Sequence, residues 1–239
     1  MKLFQYWDTG DPPDDVAACI ESVRAINPEM DHQVFSRDDA AWFIGKRIGA
    51  RHREAFLSLA VPAMQADYFR LCALWAKGGI YVDADTECTS RLKGLRNRFP
   101  GGFVTMWDRL LQNHFLMIPN LQNPFVGACL ELATRHVEAR QSDTAHNVTG
   151  PLVLNLIWSA VDSTGEHEDI HLSRDPAITP TPGALASTAL FPGAAEALTA
   201  MTRRHELYAV KWFRRVENLA YKRTPLNWLN WDGSNYYAT

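Results

Sequence analysis

The sequence predicts an α/β fold. Three observations carry this. Short apolar stretches alternate with helix-patterned ones along the first half of the chain. The segment 61–85 reads as one helix, a double glycine and a buried strand that runs into acids. The chain has 239 residues, 46% hydrophobic and 21% charged, a soluble composition with enough length for a sizeable core. No internal repeat or linker divides it, so a single domain over 1–239 is expected.

The elements follow in order. Leu3 to Trp7 is short and aromatic and is followed by Gly10, Pro12 and Pro13, which predicts a first strand entering a loop. Pro13, Asp14 and Asp15 start a helix, with proline in the first turn and acids at the positive end of the dipole. Val16, Cys19, Ile20 and Val23 continue it until Asn27 and Pro28. A second strand is predicted at 32–35 and a helix at 38–48. From Val61, apolar residues recur at Met64, Tyr68, Leu71, Cys72 and Trp75, one face of a 3.6-residue period. Gly78 and Gly79 stop that helix as a left-handed cap would, and Ile80, Tyr81 and Val82 form a buried strand ending at Asp83 and Asp85. Strands are predicted at 102–106 and 114–118, a helix at 124–140 and a loop at 142–147. Thr149-Gly150-Pro151 opens a helix through Leu154, Ile157 and Val161. Residues 176–192 read as irregular chain, and 228–237 as an aromatic, polar tail.

Charge and cysteine usage exclude several classes. The net charge is -3 and the pI about 6.2, without a run of like charge, which argues against a nucleic-acid partner. Cys19, Cys72, Cys88 and Cys129 form no C-x-x-C pair and no zinc spacing, so buried reduced thiols are expected. The start lacks the apolar region of a signal peptide, and no apolar stretch reaches the ~18 residues of a membrane span. A cytoplasmic protein is expected, with peripheral attachment to the inner face of a membrane left open.

Asp83-x-Asp85 is the first chemical candidate. With 16 Asp in the chain, about one such triplet arises by chance. Its position past a buried strand end gives it weight, because ligands of open α/β sheets bind there. Two carboxylates at that place suit Mn²⁺ or Mg²⁺, which commonly bridges to phosphate. Solvated acids at a strand exit meet the same spacing. Asp67 and Arg70 lie three apart at the edge of the preceding helix, read either as a surface ion pair or as ligands for a hydroxyl and a phosphate or sugar oxygen. Gly79 is read as part of the helix stop, with close backbone approach to a ligand as the second reading.

The run from Ala66 to Arg70, followed by Leu74 to Asp85 with its Gly-Gly-Ile-Tyr-Val-Asp-Ala-Asp sequence, resembles the DXD-containing sugar-binding region of family 32 glycosyltransferases. Weaker similarities lie at Phe4 to Trp7, Asn27-Pro28, Asn113 to Pro124, Thr149-Gly150-Pro151, and a late His205 followed by Trp212, where Lys211 replaces an expected Ser.

The resemblance implies a GT-A type fold around a mixed, mainly parallel sheet. Residues 1–90 would hold a UDP- or GDP-sugar, and 91–239 would supply the acceptor side and a C-terminal lid. It implies hexose transfer, with retention of configuration, to a glycan, lipid-linked or protein acceptor. Asp83, Asp85 and His205 would hold the metal. Arg70 would stabilise the departing diphosphate. Trp7, Asp67, Gly79, Tyr81, Asn113, Gly150 and Trp212 would line the donor site. Rival readings are a haloacid-dehalogenase-like phosphatase, which wants Thr or Val where Glu87 stands, and a sugar-nucleotide binder without activity.

Overall fold

The computed structural model describes residues 1–141, 144–161, 192–205, 211–224, 227 and 236–238. The first half follows the expected order: β1 (Lys2–Tyr6), α1 (Asp14–Ile26), β2 (Asp31–Phe35) and α2 (Arg37–Arg47). Ser36 caps α2, its hydroxyl accepting from Asp39 N while the Asp39 carboxylate accepts from Ser36 N. A helix not foreseen, α3 (Ala50–Ser58), comes next, then α4 (Pro62–Lys77) and β3 (Gly79–Val82). The sequence of α3, ARHREAFLS, has only Ala55 and Phe56 buried, so no apolar period announced it.

Beyond β3 come β4 (Thr86–Cys88), α5 (Leu95–Arg98), β5 (Phe103–Trp107), β6 (Leu110–Ile118), α6 (Pro124–Glu138), α7 (Ala145–Val148) and α8 (Pro151–Val161). The helix α7 replaces part of the loop expected at 142–147. Then follow α9 (Ala194–Ala200), β7 (Thr202–His205), β8 (Phe213–Arg215) and a 3₁₀ turn at Ala220–Arg223. All but Pro192 of the irregular stretch expected at 176–192, and most of the tail, lie outside the described residues. All four cysteines are free and buried, and no described helix is long and apolar enough to cross a membrane.

The expected mixed, mainly parallel sheet is present. Six strands run in the order β2-β1-β3-β6-β5-β7. β1 pairs in parallel with β2 and β3, and β5 with β7; β6 is antiparallel to both neighbours, so it alone is reversed. The pleat sends alternate residues to opposite faces. Phe4, Tyr81, Val104 and Leu116 join the core under α4, α6 and α8. Leu3, Ile80, Val82, Phe103 and Phe115 join a second core on the other face. A two-stranded ribbon, β4 with β8, closes that side.

Two local features of the sheet matter for placing side chains. Gly78 has φ 58° and ψ -167°, a conformation open to glycine but outside the left-handed cap expected of it. Gly79, at φ 110°, packs so tightly on β1 that a side chain would place its first carbon 2.6 Å from the Lys2 carbonyl oxygen. Its close approach is therefore to a neighbouring strand. The second feature is a break in the β5–β6 ladder. Val104 pairs with Leu116 and Met106 with Leu111, so Thr105 alone faces residues 112–115 of β6. This bulge lifts Gln112, Asn113 and His114 out of regular pairing on that side.

Candidate functional site

The carboxyl ends of β1 and β3 open into a cleft of about 500 Å³, in the ~300–1,000 Å³ range of small-molecule pockets. Tyr6 and Trp7 follow from β1, and Asp83 and Asp85 from the end of β3. The helix α4 supplies Ala66, Asp67 and Arg70, and the β6 bulge supplies Gln112, Asn113 and His114. The C-terminal segment crosses over with Arg215, Glu217, Tyr221 and Lys222.

Asp67 and Arg70 are not the surface pair that spacing allowed. From Met64 to Leu74 almost every residue of α4 is buried, because its polar edge faces the cleft instead of solvent. The Arg70 side chain is 4% exposed, with Nη2 2.8 Å from Asp67 Oδ1 and 2.9 Å from Asp83 Oδ1. Its guanidinium lies over the Tyr81 ring at 4.7 Å. Asn113 Nδ2 donates to Asp67 Oδ1 at 2.8 Å. Arg70 thus binds two acids of the site at once and orients both. Arg70 Nη1 and the Tyr81 hydroxyl are buried without a hydrogen-bond partner. Such orphans are uncommon, and a ligand oxygen reaching Arg70 would satisfy one of them.

One guanidinium against two carboxylates leaves a buried negative charge. Burial pushes Asp67 up to about 6 against the pull of Arg70. Burial likewise raises Asp83, with Arg70 opposing and Asp85 adding to the rise. Burial disfavours the Arg70 cation, but Asp83 and Asp67 outweigh it and hold the residue charged. Asp67 therefore binds more protons in the native state than in the unfolded chain between about pH 4 and pH 6. Its contribution to stability falls as pH rises through that window. Asp67→Asn is expected to melt above the parent at about pH 8, by the equivalent of roughly 1–3 kcal/mol, and level with it near pH 4. Melting curves across that range check this; equal curves at high pH would remove the buried-charge account.

Asp85 is held from the C-terminal side. Its Oδ2 accepts from the Tyr221 hydroxyl at 3.0 Å and lies 2.9 Å from Lys222 Nζ. Its carbonyl oxygen accepts from Val216 N at 3.2 Å. Trp7 meets Tyr221 edge-on at 5.1 Å, and Asp15 Oδ2 accepts from Ala220 N at 2.6 Å. Residues 213–223 form a strap tied to the D-x-D loop at several points. On β1, Gln5 Nε2 donates to the Asp83 carbonyl oxygen at 3.3 Å.

The donor chemistry fits a hard divalent cation. Asp83 and Asp85 offer carboxylate oxygens beside an open cleft, where water and phosphate oxygens can complete the shell. Among the described residues no group of three His, Cys, Asp or Glu side chains gathers for a metal. The backbone of His205 lies on β7, and its side chain is outside the described residues.

The structure brings Trp7, Asp67, Arg70, Tyr81, Asp83, Asp85 and Asn113 to one cleft. Three expected contributors sit elsewhere. Gly79 is at the far end of β3, against β1. Gly150 packs on α7, its N–H donating to the Ala145 carbonyl oxygen at 3.0 Å and so not free, while its neighbours Ala145, His146 and Pro151 border the cleft. Trp212 turns into the core, edge-on to Phe99 and Phe103 at 6.1 and 5.9 Å. Lys211 is exposed, and its carbonyl oxygen accepts from the Ser90 hydroxyl.

Several cleft residues were not singled out, among them Gln112, His114, Arg215, Glu217, Tyr221 and Lys222. Burial lowers His114 to about 3, so it stays neutral at physiological pH. His114 lies within the stretch from Asn113 to Pro124 already noted for its similarity, and no local motif marks the others.

Residues 13–100 match the family described as the glycosyltransferase sugar-binding region containing a DXD motif. An initiation-specific alpha-1,6-mannosyltransferase of Schizosaccharomyces pombe is 30% identical over 100 residues. That match spans 39% of this chain and 24% of the yeast protein's length. A solved structure titled PaToxG glycosyltransferase superposes with TM-score 0.48 and 13% identity, over 96% of this chain and 84% of that one.

Proposed function

We propose, on the premise that residues 13–100 are a DXD-containing glycosyltransferase sugar-binding region, that this chain transfers a hexose from a nucleotide-diphosphate sugar. The acceptor would be a glycan, a lipid-linked glycan or a protein, and the fold of the GT-A type. One observation carries the reading. Asp83 and Asp85 line one cleft together with the buried Asp67–Arg70–Asn113 cluster, and Arg70 bridges Asp67 to Asp83.

The chain's own groups divide the work. Trp7 borders the cleft and offers a ring on which a base can stack, an interaction of ~1–3 kcal/mol. Asp67, pinned by Asn113 and Arg70, accepts hydrogen bonds from hydroxyls of the sugar. Asp83, fixed by Arg70 and by Gln5 at its carbonyl, would face the ribose and the solvent side of a cation. Asp85 would be the carboxylate that holds the divalent cation, Mn²⁺ or Mg²⁺. The cation would supply positive charge for the leaving diphosphate. Arg70 acts mainly by holding the two acids, with Nη1 left for a substrate oxygen. No side chain at the cleft has to act as a covalent nucleophile, and transfer with retention fits the reading. A cytoplasmic setting, with loose attachment to a membrane face, belongs to the same proposal.

The test is a donor screen. Purified protein is incubated with UDP- and GDP-hexoses and Mn²⁺, and release of the nucleoside diphosphate is followed with and without EDTA. Release with at least one donor, abolished by EDTA, is expected. Donor binding without release would support a binder instead, and turnover of phosphate esters alone would support a phosphatase. Failure to bind any common sugar nucleotide would sink the proposal.

A further inference from the structure

Each D-x-D carboxylate already faces a cationic side chain. Arg70 serves Asp83, and Lys222 serves Asp85. The two are held differently. Arg70 is fixed on a buried helix between two acids. Lys222 sits on the 3₁₀ turn of the strap, its side chain 14% exposed. Its Nζ is 2.9 Å from Asp85 Oδ2, 2.6 Å from the Val216 carbonyl oxygen and 3.8 Å from Glu217 Oε2. A lysine ammonium is a point charge on a flexible stem, so it can leave Asp85 while its turn stays docked. Tyr221, whose hydroxyl donates to the same Oδ2, would keep that carboxylate oriented.

Asp85 Oδ2 cannot serve a divalent cation and an ammonium together without crowding positive charge in a half-buried cleft, where solvent screens poorly. A nucleoside diphosphate reverses that balance, because its phosphates supply several negative charges within reach of both. We infer that Lys222 is a resident counter-ion which competes with the divalent cation for Asp85 until a nucleoside diphosphate draws the ammonium onto its phosphates. The inference rests on the donor-site reading above. The donor-free protein then binds the cation weakly, and cation and nucleotide bind cooperatively through a residue of the strap. By linkage, the factor by which one tightens the other is reciprocal.

The test measures Mn²⁺ binding, not turnover. Free Mn²⁺ is followed by its paramagnetic resonance signal in titrations of the full chain, alone and with UDP or GDP. The parent is compared with Lys222→Met and Lys222→Arg. In the parent, nucleotide should tighten Mn²⁺ binding about tenfold or more. Lys222→Met should bind Mn²⁺ about tenfold more tightly than the parent without nucleotide, and should gain less from adding it. Lys222→Arg, which keeps the charge, should stay as weak as the parent without nucleotide. Thermal melts identify folded variants, and Lys222→Gln replaces the Met variant if that one fails to fold.

Parent-like Mn²⁺ affinity in nucleotide-free Lys222→Met, with nucleotide-dependent binding intact in the parent, overturns the inference and leaves the donor-site reading standing. No Mn²⁺ binding in any protein, even with UDP or GDP, removes both.

Discussion

Asp85→Asn is expected to lower donor turnover by roughly 10²–10³-fold, because a carboxylate on the cation is worth about 3–4 kcal/mol of transition-state stabilisation. Asparagine keeps the shape and one acceptor oxygen but loses the charge. The fold should lose less than the chemistry does. The side chains of Asp85 and Lys222 are only 11% and 14% exposed, so losing the charge has a stability cost, but Lys222 keeps its bond to the Val216 carbonyl oxygen and the asparagine oxygen can still accept from Tyr221. The cost should stay below the ~3–5 kcal/mol of a pair broken outright in the interior. The expected signature is a large kinetic loss with a smaller fall in the melt. Donor hydrolysis under Mn²⁺ gives the first measurement and thermal unfolding the second. Turnover within about threefold of the parent would remove Asp85 from the chemistry.

Arg70→Met should show its effect on stability as well. Methionine fills similar volume but leaves Asp67 and Asp83 facing each other without their shared cation. Breaking a buried ion pair by removing one partner costs about 3–5 kcal/mol. In a domain of this size that lowers the melting temperature by roughly 6–20 °C. Loss of Arg70 also removes the group that holds down both raised carboxylates. Each would protonate more readily in the folded state, so the variant should lose stability more steeply than the parent from about pH 5 to pH 8. Denaturant unfolding at the two pH values measures this. A variant as stable as the parent at the higher pH would mean that Arg70 does not carry the buried charge assigned to it.

The difference between these variants marks what the sequence could convey. The helix, double glycine and strand from Val61 to Asp85 were legible because apolar period, breaker and strand run agree at each step. The burial of Asp67 and Arg70 was not. A helical period assigns polar residues to solvent, and it cannot tell a solvent face from one that lines a cleft. Gly79 was misplaced for a related reason. A glycine beside a strand signals close approach, and the identity of the approaching group, here the Lys2 backbone, depends on pairing across the sheet. Gln112 and His114 reach the cleft through a break in strand register, and register errors leave no mark on composition. Tyr221 and Lys222 are farther still from any local signal. They join Asp85 by folding of the whole chain, and nothing in their own neighbourhood names a carboxylate as partner.

That last contact has a consequence in time. Tyr221 follows Asp85 by 136 residues. At a synthesis rate of ~5–20 residues per second, roughly 7–27 s pass after Asp85 is made before its tyrosine and lysine partners exist. During that interval the D-x-D acids have no strap above them. A ribosome-bound chain stopped short of residue 220 carries these carboxylates without their resident ammonium. The site is thus completed late, by residues 216–222 returning to a loop made long before.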